Sequence, residues 1–181
     1  GFDGTSIAAI ATEMGLTKQA LLHHFGSKEK LYGEVLQQIA AALTTELTEI
    51  AAATKDPYEA LETLLVERIA GALDASDGTR IVIRELLDNK SRARSARTWP
   101  LKPYLDGLIA MVQANPTTAR FSDAEALAAI YQFIGAANFL VISEPTLSRM
   151  YGRQHFGEMK RAYPMTLRAL VRATFLGDSA E

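Results

Sequence analysis

Apolar residues recur at helical spacing along the whole chain, and nowhere do they alternate as a half-buried strand would. Near the start, Ile7, Ala8, Ile10, Ala11 and Met14 share one face, with Thr5 or Ser6 placed to cap it and Gly15 to end it. A second short stretch, Lys18 to Phe25, has Thr17 as its cap and Gly26 as its stop. Ser27 then caps a longer helix from Lys28, whose stripe is Leu31, Val35, Ile39, Leu43, Leu47 and Ile50 and which should reach about Ala53.

Asp56 before Pro57 marks a new start, since proline suits the first helical position and its neighbour can cap. Leu61, Leu64, Leu65, Ile69 and Leu73 give that helix its inward stripe, up to a turn at Asp74 to Gly78. From about Thr79 a further helix should bury Ile81, Val82, Leu86 and Leu87. Trp99 and Pro100 open the next, with Leu101, Tyr104, Leu105, Leu108, Met111 and Val112, which ends at Asn115 before Pro116. Ser122 to Glu125 is a capping box, in which the serine and glutamate satisfy each other's backbone N–H groups. The helix it opens should run to Ile142, with small or apolar residues all round, so it needs cover on more than one side. Pro145 and Gly152 then break the chain. A last helix, Glu158 to Leu176, holds Pro164, which should kink it or delay its start. Leu167, Leu170, Val171, Thr174 and Phe175 are expected to face inward there, Arg161, Arg168 and Arg172 outward, and Gly177 to end it. The prediction is an all-α fold.

Composition changes little in that picture. With 181 residues, 48% of them hydrophobic and 22% charged, the chain can bury about 70% of its unfolded surface. It has no cysteine, which excludes a disulfide scaffold and a thiolate metal site and fits a reducing compartment. No apolar run approaches the roughly 18 residues of a membrane span, and no secretory leader is read at Gly1, so a cytoplasmic protein without a membrane partner is expected. The net charge of −2 argues against nucleic-acid binding by bulk charge. Locally the balance differs: Lys18, Lys28 and Lys30 stand against Glu29 between residues 15 and 31. A second basic run from Arg80 to Lys102 reads better as a solvated loop than as another nucleic-acid patch.

Two short helices joined by a tight turn, followed by a longer one, form a helix-turn-helix pattern, whose second helix enters the major groove of DNA. On apolar spacing alone a plain helical hairpin fits as well. Residue identity separates the two. The run GLTKQALLHHFGSKEKLYGEVL resembles the TetR family of bacterial transcriptional repressors, with its turn glycine, capping Ser or Thr, His-Phe pair and Lys-Glu pair opening the connecting helix. The likeness covers roughly the first 45 residues closely and the remainder only in its helical plan. Leu22 departs from it, standing where the family commonly has a tyrosine that meets a phosphate. The family also usually begins one helix earlier, ahead of the loop GFDG, so the DNA-binding domain is expected to be incomplete at its N-terminus.

The resemblance implies a DNA-binding domain at residues 1–47 and an effector-binding and dimerisation domain at 48–181. It implies a homodimer through the last two long helices, held to double-stranded operator DNA and released by an unknown small-molecule effector. Thr5, Thr17, His24 and Lys28 are placed for phosphates. Lys18, Gln19 and His23 lie where base edges are read, and Gln can pair bidentately with adenine and Lys with guanine. Trp99, Tyr104, Met111, Tyr131, Phe133, Asn138 and Phe139 fall in the middle helices, where family members hold effectors, although core packing explains such residues just as well. Asn138 and Arg84 with Glu85 are the polar candidates, because a buried amide or ion needs a partner.

No catalytic or cofactor motif is present: the glycines stand singly, no GxSxG or HExxH occurs, and no pair of carboxylates is set apart by spacing. His23 and His24 point about 100° apart on a helix and His155 is distant, so no metal site is expected. The expectation is a protein that binds without catalysing, needing no cofactor. The alternatives are a helical ligand-binding protein and a regulator controlled by a protein partner.

Overall fold

The computed structural model describes residues 2, 4–69, 77–88 and 99–176. Every regular element among them is helical: α1 (Ile7–Glu13), α2 (Lys18–Phe25), α3 (Lys28–Ala53), α4 (Pro57–Glu62) running into a π-helical segment (Thr63–Ile69), α5 (Asp77–Asp88), α6 (Lys102–Ala114), α7 (Asp123–Tyr151) and α8 (Arg153–Phe175).

The caps explain most of these boundaries. The side chains of Ser6, Thr17, Ser27 and Asp56 each accept a backbone N–H of the helix they precede, and Ser6 rather than Thr5 caps α1. Ser122 and Glu125 form the reciprocal capping box of α7, and the Ser122 N–H and then its hydroxyl, both donating to the carboxylate at 2.8 Å, hold the Glu125 carboxyl below the ordinary carboxylate range. Gly15, Gly26 and Gly152 have φ of 67°, 80° and 87°, a region that glycine enters without steric cost and where α1, α2 and α7 stop.

Three expectations of the sequence need correction. Helix α7 does not end at Ile142 but continues through Pro145 to Tyr151, and α8 starts at Arg153 and continues through Pro164. Each proline forfeits one backbone hydrogen bond, and the extensive packing of α7 against α8 outweighs that loss. An 18-residue window of the lengthened α7 reaches a mean hydropathy of 1.7, so by length and composition alone it could cross a membrane; the core helix of a soluble protein passes the same test. Finally, Leu86, Leu87 and Leu170 are exposed, although periodicity placed them inward. The turn expected at 74–78 overlaps α5, which begins at Asp77. Leu73, the basic run at 89–98 and the stop at Gly177 lie outside the described residues.

Two cores organise the chain. A small one joins α1, α2 and the start of α3 through Ile7, Ala11 and Leu21, with Ile10, Leu22, Phe25 and Leu31 packed around them. The larger one takes Ala40 and Leu47 from α3, Leu61, Leu64, Leu65 and Val66 from α4 and the π segment, Tyr104, Leu108, Met111 and Val112 from α6, and Ala126, Ile130, Phe133, Leu167, Val171 and Phe175 from α7 and α8. Two buried polar side chains beside it, Asn115 and Thr118, are served by backbone. Asn115 Nδ2 donates to the Phe175 carbonyl at 2.8 Å and the Thr118 hydroxyl to the Val112 carbonyl at 2.6 Å, tying the α6–α7 connection to the end of α8. On the outside, Arg168 of α8 reaches Glu62 at 3.0 Å and Glu67 at 3.7 Å.

Burial pushes the Tyr104 phenol up to about 12, because the phenolate would sit in a poorly solvated core. An unfolded tyrosine loses its proton near pH 10, so between about pH 10 and 12 the unfolded state binds fewer protons and stability falls as pH rises. Equilibrium unfolding across that range should give a steeper decline for the native sequence than for Tyr104→Phe, with no difference in slope below about pH 9.

Candidate nucleic-acid interface and ligand cavity

The first candidate site is built on α2. Thr17 is exposed and its Oγ1 accepts the N–H of Ala20 at 3.1 Å, which leaves its own O–H free to donate outward. Lys18, Gln19, His23 and His24 are all solvent-exposed. The side that is hidden is Leu21, 2% exposed, which anchors α2 in the small core. The turn before it is drawn tight by the Leu16 N–H to the Ala11 carbonyl at 2.8 Å.

Thr5 and Lys28 are half-buried. The Lys28 ammonium lies 4.3 Å from the centre of the Phe2 ring, a cation–π contact that holds it beside the first turn of α3. His24 packs edge-on against Phe25, ring centres 4.5 Å apart. Glu29, on the same turn as Lys28, has its carboxyl held below the ordinary range by its own backbone N–H and then by the Ser27 hydroxyl. The result is an exposed helix with donors and ring nitrogens on one side, beside an ammonium whose place is fixed by an aromatic ring.

The second candidate is a cavity of about 790 Å³ within the larger helical body. Helix α3 contributes Ile39, Ala42, Leu43 and Glu46; the π segment Leu64 and Glu67; α5 Thr79, Val82 and Leu86. The approach to α6 and α6 itself add Trp99, Leu101, Tyr104 and Leu105, and α7 adds Tyr131, Ile134, Asn138 and Val141. Four residues expected from the sequence, Trp99, Tyr104, Tyr131 and Asn138, therefore meet there. Met111 instead packs within the core, and Arg84 is exposed on α5; neither lines the cavity. Phe133 is also a core residue and Phe139 is exposed, while Glu85, the other polar candidate, is 2% exposed and does not reach the cavity wall.

The polar part of the wall is sparse. The indole N–H of Trp99 is buried and has no hydrogen-bond partner among the described residues, and such a donor costs about 1–3 kcal/mol until something accepts from it. Tyr104 stays a neutral phenol at any physiological pH, able both to donate and to accept. Glu46, Glu67 and Thr79 were not anticipated. Glu46 could have been found, since it lies one helical turn beyond Ala42 and Leu43 on the stripe that faces the body; no sequence pattern marks Glu67, whose direction follows from the π turn. Among the described residues no group of histidine, aspartate and glutamate side chains could hold a metal ion.

A second recess, of about 720 Å³, runs between the end of α2 and the body, with His24, Phe25, Lys30, Gly33, Glu34, Gln37, Gln38 and Pro100 around it. It is an open groove, and it marks where the N-terminal helices stand off from the rest.

Comparison with known proteins agrees with this geometry. Residues 1–35 match the family described as bacterial regulatory proteins, tetR family. Over 114 residues, 62% of its length, the chain is 31% identical to the HTH-type transcriptional regulator RutR of Escherichia coli K12, and equally to that of Shigella flexneri. It spans about half the length of these curated relatives, 52%. A crystal structure of a TetR transcriptional regulator from Legionella pneumophila has the same fold, with a TM-score of 0.64 at 16% identity, covering 97% of this chain and 88% of that one. The motif at residues 15–36 and the match over residues 1–35 support membership of the TetR family of bacterial regulatory proteins, and the shared helical plan agrees with it.

Proposed function

We propose that this chain is a cytoplasmic, DNA-binding transcription regulator, working as a homodimer and released as a repressor from double-stranded operator DNA by a small-molecule effector in the 790 Å³ cavity. The observation that carries the reading is the continuity of α3. One unbroken helix of 26 residues begins against the exposed reading helix and ends in the larger core, with the cavity against its middle, from Ile39 to Glu46. A molecule in the cavity and a molecule against α2 would thus bear on the same rigid element. The description of the curated relatives as transcriptional regulators supports the same reading.

In this scheme residues 1–47 read DNA, and residues 48–181 bind the effector and the second subunit. Lys18, Gln19 and His23 meet base edges, while Thr5, Thr17, His24 and Lys28 meet phosphates. Two copies of α2 enter successive major grooves about 34 Å apart. The effector binds more tightly to the arrangement whose spacing does not fit; a preference of about 3 kcal/mol changes operator affinity roughly 150-fold. A cavity of this volume matches the usual range for a small organic ligand, which favours such an effector over control by a protein partner. The unpartnered Trp99 N–H and the neutral Tyr104 phenol are the groups that would orient it.

Dimerisation is supported by what α7 and α8 leave uncovered. Phe139, Met165 and Leu170 are 68%, 70% and 60% exposed, and Ile142 and Met150 on α7 are exposed as well. Only 39% of the most apolar window of α7 is buried within one chain. Surface of this kind is rare on a monomer and suits an isologous bundle with a second copy. The double variant Phe139→Glu/Leu170→Glu should weaken self-association by at least about 100-fold, through buried like charge, without unfolding the chain. Sedimentation velocity that finds the variant as dimeric as the native protein would remove α7 and α8 from the interface.

The two classes of DNA contact separate by salt. On DNA selected from a random pool by the native protein, Lys28→Ala should weaken every sequence alike and lower the slope of log K against log salt by about 1. Gln19→Ala should leave that slope unchanged and relax preference at one base pair, at a cost of about 1–3 kcal/mol. Identical behaviour of the two variants in a salt-dependent titration would overturn this division of labour.

A further inference from the structure

Helices α3 and α6 form a wedge. Toward the far end of α3 they approach closely at a glycine: a Cβ placed on Gly107 of α6 would lie 2.6 Å from Cδ2 of Leu47 and 3.9 Å from its Cγ. Nearer the reading helix the same two helices enclose the cavity, α3 with Ile39, Leu43 and Glu46 and α6 with Leu101, Tyr104 and Leu105. Beyond that, the open groove separates Gly33, Gln37 and Gln38 of α3 from Pro100. Contact, cavity and groove follow one another along α3 in that order.

We infer that Leu47–Gly107 is the fulcrum of α3, and that Gly107 is a positioning residue which sets the tilt of the reading helix without touching DNA or ligand. The inference rests on the reading of α3 as a lever given above and adds where the lever turns. Leu47 is 7% exposed within the larger core, so it has little room to swing aside. A Cβ at 107 meets the terminal methyl of Leu47, and on this inference the packed core around that methyl makes α3 yield with it. Lys28 lies 19 residues before Leu47, about 28 Å along the helix axis, so a shift of about 1 Å at the contact is carried to α2 over a long arm. Filling the cavity loads the same wedge from its open side, which is why contents of the cavity and bulk at residue 107 act on one coordinate.

The chain has no cysteine, so nitroxide labels go only where they are introduced. Exposed Glu13 on α1 and exposed Arg120 on the body serve: Glu13→Cys and Arg120→Cys in one full-length chain, diluted into excess unlabelled chain, report one intramolecular distance by electron–electron resonance whatever the oligomeric state. Adding Gly107→Ala should move the mean distance by about 2 Å or more, given that arm. Adding Leu47→Ala as well, which removes the atom in the way and also relieves any folding defect, should bring it back. An unchanged distance in a folded Gly107→Ala chain overturns the fulcrum, and so does a shift that Leu47→Ala fails to reverse. DNA binding of the native chain to a pool-selected fragment is measured alongside. Its absence overturns the proposed function and leaves the distance result to decide the fulcrum.

Discussion

The close approach of α6 to α3 is the constraint from which the rest of the architecture follows. A Cβ at position 107 would lie 2.6 Å from the Leu47 methyl, so the glycine lets α6 approach a core side chain of α3 closely. Nearer the reading helix the same two helices line a space that α5, the π segment and α7 also border. The side chains around that space decide its chemistry. Because α3 is helical without interruption from Lys28 to Ala53, nothing between the crossing and the N-terminal helices can absorb a tilt.

The two cores divide the energetic work unequally. The larger one draws on α3, α4, the π segment and α6 to α8, with leucines and a phenylalanine wholly out of solvent. The smaller holds α1 and α2 to α3 through three buried side chains, the largest of them Leu21 and Ile7. At about 1.5–3 kcal/mol for each such side chain, the small core cannot stand far above its own ordering entropy, and α1 and α2 depend on α3 for their place. That dependence makes their place a property of α3. It also explains the density of caps and tight turns around them: Ser6, Thr17, Ser27, Gly15 and Gly26 fix the N-terminal backbone where burial alone would leave it loose.

The sequence made the helix starts legible and the helix ends less so. A cap is a local event, a side-chain oxygen on an N–H two or three residues ahead, and Thr17, Ser27, Asp56 and Ser122 could each be read as such. Pro145 and Pro164 misled because a proline's penalty is local too, whereas the packing that overrides it belongs to the whole α7–α8 pair. Leu86, Leu87 and Leu170 show the limit of periodicity: it finds the apolar face of a helix and cannot tell how far cover extends across it. In the cavity, the aromatic residues Trp99, Tyr104 and Tyr131 were visible as types. Met111, of equal promise by type, sits one helical face away in the core. Glu67 depended on a π turn that no residue pattern announces. Gly107 carried a signal that went unread, a lone glycine inside an otherwise regular helix, which marks either weakness or close approach.

The size of the cavity also constrains what its walls can be made of. The cavity is partly open to solvent, so its 790 Å³ holds water when it holds nothing else. Water is stable in a recess only where polar groups return its hydrogen bonds, and Thr79, Asn138, Glu46 and Glu67 are spread around a lining that is otherwise aliphatic and aromatic. Their spacing serves the empty state, in which α3 must stay supported, as much as any occupied one. The Trp99 N–H, buried with no acceptor, is the group this arrangement leaves unpaid.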